Sequence, residues 1–231
     1  MRRLVSLALL LAAGSASAQE EGGLAPLNGV GRISVQGGWR LSSNTTFYDS
    51  FYALPGFQGA QRAPESPGGP FLTGSFAYAV TDLIELGVDV FATGEQLRLT
   101  GAPTLTNITY GALLGVRFQG LLDVLTPEGV VPFVGIETGP TLALSRAENV
   151  GSKEVLTQAW VGSVGATFRL SPRWGITAEY RLAFARGQSA FSRRKEYEQL
   201  ASYNAGGNWF ALGVTYMLPA NPSRPIGSGL P

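Results

Sequence analysis

Nine ionisable side chains stand at alternating positions within otherwise apolar stretches: Arg32, Arg40, Glu85, Asp89, Arg117, Glu137, Arg169, Glu179 and Arg181. In an extended chain Glu179 shares a face with Arg181, and Glu85 shares one with Asp89. A carboxylate pair with separated acidities, or a carboxylate tuned by a neighbouring guanidinium, is what general acid–base chemistry requires. The same residues serve equally as structural ion pairs. That second reading is favoured, because charges of both signs lining one interior neutralise one another without any substrate. The sequence has no histidine and no cysteine, so it offers neither an imidazole base nor a thiolate metal ligand. No metal or other cofactor is expected, and no catalytic residue is assigned.

The elements that must hold these charges are strands. In WGITAEYRLAF, from Trp174 to Phe184, one face carries Trp174, Ile176, Ala178, Tyr180, Leu182 and Phe184, and the other Gly175, Thr177, Glu179, Arg181 and Ala183. The length of this alternation matches the roughly 9 to 11 tilted residues that cross a bilayer's hydrocarbon core. Seven further stretches repeat it, at about 30–41, 70–80, 84–93, 107–119, 130–144, 157–170 and 208–218. Val130, Val134, Ile136, Leu142 and Leu144 make the apolar face of the fifth. Pro132 and Pro140 there predict strand ends or a bulge.

The predicted connections alternate between long (42–69, 94–106, 145–156 and 187–207) and short (81–82, 120–129 and 171–173). Up-and-down joining therefore puts all the long ones at one end. The fold predicted is all-β: an eight-stranded antiparallel up-and-down transmembrane β-barrel spanning 30–218. All nine charges lie on the face opposite the apolar one, five positive and four negative. On a lipid surface each would be costly, whereas inside a barrel they pair. Tyr78, Phe118, Phe168, Trp174 and Tyr216 fall near the short-turn ends, and Trp39, Tyr110, Trp160, Phe184 and Phe210 near the long-loop ends. Two aromatic rows at opposite ends of one face mark two membrane interfaces.

Residues 1–18 have a basic start, an apolar run from Leu4 to Ala13, and Ala16 and Ala18 in the A-x-A arrangement. They are expected to be a cleaved signal peptide. Residues 19–29 then form a periplasmic lead and 219–231 a flexible Pro/Gly tail. Loss of Arg2 and Arg3 changes the net charge from +1 to −1, and such balance points away from nucleic acid.

With the alternation, the paired rows and stretches such as PFVGIETGP and WGITAEYRLAF in place, the span from Val30 to Leu218 resembles the small eight-stranded outer-membrane barrels of the OmpA, OmpX and OmpW kind from Gram-negative bacteria. The resemblance implies a setting of outer-membrane lipid and lipopolysaccharide. It also implies an assembly signal for the barrel-assembly machinery, falling on Gly213, Tyr216 and Leu218. Ala211 departs from the polar residue such signals carry, and a tail follows Leu218. Barrel enzymes of this size, namely the phospholipase, the omptin-type protease and the lipid A acyl-modifying enzymes, use a histidine that this sequence lacks.

The expected function is therefore non-enzymatic, with a structural or surface-interaction role and an unknown extracellular partner. A narrow small-solute channel is the alternative, because Gly87, Gly111, Gly115, Gly135, Gly139, Gly165, Gly175 and Gly213 keep the inward face small. A soluble lipocalin-like carrier, echoed by Gly37-Gly38-Trp39, is the second alternative; it would turn the apolar face inward. Phe47, Tyr48, Phe51, Tyr52 and Phe57 in the first long loop are candidates for contact with a partner or an apolar solute, or for packing over the barrel mouth. The basic run Arg193-Arg194-Lys195, followed by Glu196 and Glu198, is a candidate for lipopolysaccharide phosphates.

Overall fold

A strand whose two faces differ this sharply cannot be satisfied singly. Its backbone groups need partners on both sides, and closing the sheet removes every edge. A computed structural model describes residues 26–126, 128–193 and 202–218. The signal segment with Ala16 and Ala18, the tail after Leu218, and the charged run apart from the backbone of Arg193 lie outside them. The strands are β1 (Gly31–Leu41), β2 (Gly69–Ala79), β3 (Ile84–Leu97), β4 (Leu105–Gln119), β5 (Val130–Ala147), β6 (Gly151–Arg169), β7 (Trp174–Phe184), β8 (Arg186–Gln188), β9 (Ser202–Asn204) and β10 (Gly207–Leu218). Eight of them close in the order β1-β10-β7-β6-β5-β4-β3-β2, while β8 and β9 pair separately. The closing seam between the first and last barrel strands is antiparallel, from Gly31 opposite Leu218 to Leu41 opposite Asn208.

Alternation sets the faces throughout. Leu114, Leu212, Ile136 and Val35 are exposed outward, Leu114 at 65%, while Glu85, Asp89, Arg169, Arg181 and Thr215 are buried inward. This is the reverse of a soluble carrier's barrel, so the lipocalin-like alternative fails on orientation. No helix among the described residues is long and apolar enough to cross a membrane. Trp174 packs edge-on to Tyr216 at 4.8 Å in the turn-end row, and Tyr180 lies 5.3 Å from Phe210 near the loop end.

Four features differ from the sequence expectation. The connections predicted at 94–106 and 145–156 are largely strand: β3 runs to Leu97, β4 starts at Leu105, and the β5–β6 ladder continues to Ala147 opposite Gly151. Leu97, Leu105 and Ala147 on their inward face pack into a loop core, and Glu95 is held there by Arg40, so polar outward neighbours did not end the strands. Second, β5 contains both prolines within one continuous strand. The β4–β5 pairing passes from Gly111–Thr141 to Leu114–Thr138 with equal residue numbers on both sides, a gap at Gly139-Pro140 where proline supplies no N–H, and not a bulge.

Third, Val130 has the outward parity but is buried, because residues 120–122 fold back along β5 and Leu122 bridges to it. Fourth, residues 26–30 are tied to the turn end. The amide of Gly29 donates to the carbonyl of Ala79 at 2.8 Å, that of Asn28 to Asp82 Oδ1 at 2.8 Å, and Leu27 packs on Ala79 and Val131.

Candidate functional site

The interior holds several groups of interacting side chains. Near the turn end a file of hydroxyls crosses four strands: Ser34 to Thr215 at 2.8 Å, Thr215 to Thr177 at 2.6 Å, and Thr177 to Thr167 at 2.8 Å. A hydroxyl can donate one hydrogen bond and accept others, so three bonds link the four side chains in a line.

Seven of the nine predicted charges meet in the lumen, from Arg32 and Glu85 near the turn end to Arg181 further along β7. Arg117 contacts Glu137 at 2.7 Å, Asp89 at 3.0 Å and Glu85 at 3.7 Å. Arg181 contacts Asp89 at 2.6 Å, Glu179 at 2.9 Å and Glu137 at 3.6 Å. Arg32 pairs with Glu85 and also donates to Gln119 Oε1 at 3.0 Å. The guanidinium of Arg117 further lies 5.4 Å from the centre of the Phe133 ring. Charges drawn from β1, β3, β4, β5 and β7 thus form one cluster across the lumen, with four carboxylates around three guanidiniums.

The other two predicted charges lie apart from it. Arg40 pairs with Glu95 at 2.7 Å nearer the loop end and donates to the carbonyls of Ala205 and Gly206 at 3.0 and 2.9 Å. Arg169 is fully buried near the turn end, 3.7 Å from Glu128. Neither Glu95 nor Glu128 was legible as a partner, since both fell in predicted connections. Glu95 does keep the odd-numbered parity of Glu85 and Asp89, which was the available signal.

Between the cluster and the Arg40–Glu95 pair lies an apolar layer that sequence reasoning missed. Trp209 sits 5.2 Å from Phe71 and 5.1 Å from Phe91, with Leu113, Val161 and Ala183 around them. Three of the inward glycines face neighbouring side chains. A Cβ on Gly135 would stand 2.7 Å from Arg117 Cγ, and one on Gly165 would stand 2.7 Å from Phe133 Cζ. Gly115 is likewise filled by Glu137. Glycine here admits the long side chains of neighbouring strands.

The loop-end mouth is covered. In the first loop a helix, α1 (Thr45–Tyr52), buries Phe47, Tyr48, Phe51 and Tyr52 against Leu97, Leu105, Ala147, Phe191 and Tyr203. The aromatics expected to contact a partner or solute are therefore core; packing over the mouth, the other expectation, is what the structure has. Phe51 lies 4.4 Å from Phe57 and 6.3 Å from Phe191, tying the first loop to the last. Burial raises the ionisation of Tyr48 and pushes the Tyr203 phenol up to about 12, so both rings stay neutral at any physiological pH. Replacing Phe51 by alanine is expected to loosen this cap without unfolding the barrel, which has its own ladders. The check is trypsin cleavage after exposed Arg62 in the folded protein, which should accelerate about tenfold while the heat-dependent gel shift persists.

Chemically this interior can neutralise charge and exclude solvent. Among the described residues no group of acidic, histidine or cysteine side chains is arranged to hold a metal ion. Gly213 faces inward beside Gln36, Tyr216 packs on Trp174, and Leu218 is paired with Gly31, so all three lie on the closing strand.

A closed eight-stranded up-and-down barrel with an apolar outer belt, aromatic rows at both ends and charges paired inside is a transmembrane β-barrel of the outer-membrane type. No family model matches the sequence, and no curated protein matches it. Among solved structures it is similar to OprG, an outer membrane protein from Pseudomonas aeruginosa, at 12% identity over 84% of this chain and 98% of the other, with a TM-score of 0.54. It is also similar to Neisserial surface protein A at 13% identity, over 82% of this chain and 97% of the other, with a TM-score of 0.53. At these identities the likeness is one of fold.

Proposed function

We propose that the chain is exported by a signal peptide cleaved after Ala18, is inserted in the bacterial outer membrane and serves there as a non-enzymatic structural or surface-interaction barrel. The observation carrying this reading is the filled interior. The hydroxyl file, the ion cluster, the Trp209 cluster and the aromatic cap all occupy the lumen and its loop-end mouth. That leaves the outer wall and the loop end as the surfaces available for contact. It also favours the non-conducting reading over the small-solute channel, since an eight-stranded barrel is just wide enough to be filled by its own side chains. Gly213, Tyr216 and Leu218, on the closing strand, are the assembly signal in this reading, and lipid with lipopolysaccharide is the surrounding medium.

Outer-membrane fractionation with gel mobility before and after boiling tests the reading. The protein is expected in the outer-membrane fraction with a clear heat-dependent shift, and planar bilayers containing it are expected to stay electrically silent. Recovery as a freely soluble periplasmic protein without a shift would overturn the membrane assignment. Discrete conductance steps would instead replace the structural role with a channel.

A further inference from the structure

We propose that the outer wall carries a seat for one acyl chain of a phosphate-bearing glycolipid of the outer leaflet, formed where β1 to β4 emerge from the apolar belt. The proposal rests on the membrane reading above and names a lipid site within it. On the outward face Trp39 stands opposite Pro70, and Gly94 stands opposite Ile108. Trp39 and Ile108 rise on either side, while Gly94 leaves the floor low: a Cβ placed there would meet nothing within 4 Å. A groove of about 600 Å³ follows, lined by Trp39, Pro64, Pro67, Pro70, Gly94 and Ile108 among others. That volume is in the range of about 300 to 1,000 Å³ typical of pockets for small molecules.

Its overhang is fixed. The amide of Ala63 donates to the Tyr52 hydroxyl at 2.8 Å and that of Ser66 to the Tyr48 hydroxyl at 3.3 Å, so the segment above the groove hangs from the cap's own helix. The groove is thus a built recess in the wall.

Charge and height choose the occupant. Trp39 belongs to the loop-end aromatic row, the level where headgroups meet acyl chains. Arg98 lines the groove, is exposed, and its guanidinium forms no hydrogen bond or ion pair among the described residues. Thr106, another lining residue, is paired with Arg146, a second exposed outward guanidinium. Two arginines beside an apolar recess match a phosphate above an acyl chain. Of the carboxylates in the lining, Glu95 is turned inward to Arg40 at 2.7 Å, and Glu65 accepts from the Thr45 hydroxyl at 3.0 Å.

The test uses the full chain in phosphatidylcholine bilayer discs doped with lipid A, the retained lipid being counted by native mass spectrometry after release. Gly94→Leu fills the recess. Gly162→Leu adds the same bulk to the outer face of β6, where a Cβ likewise meets nothing within 4 Å. Wild type and Gly162→Leu are expected to retain one lipid A per barrel, and Gly94→Leu to bind at least tenfold more weakly. Arg98→Gln should weaken lipid A but leave binding of its dephosphorylated form unchanged. Equal retention by Gly94→Leu and wild type would overturn the seat. So would equal binding of phosphorylated and dephosphorylated lipid by wild type, or occupancy by an added alkane with no lipid A retained. The heat-dependent gel shift is run on every variant: its absence in wild type overturns the membrane reading and the proposal with it, whereas its presence assigns any failure to the groove alone.

Discussion

Arg117→Met is expected to destabilise the folded barrel by about 3 to 5 kcal/mol, the cost of leaving buried charge without its partner. Arg117 touches Glu137, Asp89 and Glu85, and no other described residue meets all three. Without it, Glu137 faces only Arg181 at 3.6 Å, and four carboxylates surround two guanidiniums in a water-poor lumen. Glu137→Gln should cost much less, because Arg117 keeps Asp89 and Glu85. Joining Arg117→Met to Glu137→Met should recover part of the loss, since one unpaired carboxylate goes with its missing partner. Urea unfolding of vesicle-inserted protein measures all three. An Arg117→Met barrel within about 1 kcal/mol of wild type would mean that the cluster tolerates the uncompensated charge and does not hold the interior together.

An arginine at position 114 should cost about 2 to 4 kcal/mol in a bilayer, falling to about 0 to 1 kcal/mol for the same change near an interface. Leu114 is outward and lies midway along β4 between Tyr110 and Phe118, members of the two aromatic rows. Leu156 is as exposed as Leu114 but lies four residues beyond Trp160 toward the loop end of β6. Exposure alone would make the two substitutions equivalent. Only depth in hydrocarbon separates them, so equal unfolding free energies for Leu114→Arg and Leu156→Arg would contradict the placement of the belt in lipid.

Much of the architecture was legible because a strand's side chains alternate with a strict period, and that period is local. Glu179 and Arg181 had to share a face with Thr177 whatever they paired with, and the apolar residues had to share the other. The cap was less legible. Phe47, Tyr48, Phe51 and Tyr52 form one face of a helix, but nothing local tells a helix that docks on its own barrel from one that presents aromatics to a partner. Leu97, Leu105 and Phe191, which decide the matter, come from three other parts of the chain. Trp209 was lost for a related reason: an interior expected to be ionic gave no place to a buried indole.

By itself the sequence determined the strands, the sidedness of each, the closure implied by their number and alternating connections, and the two aromatic rows. Each follows from periodicity or from the width of a bilayer. Only the tertiary structure decided which charges meet. Arg32 and Glu85 are 53 residues apart, Arg40 and Glu95 are 55 apart, and Arg117 and Glu137 are 20 apart. Their height in the lumen depends on strand tilt and stagger around the whole circumference. A charge's face is a property of its own strand, whereas its partner is a property of the closed barrel.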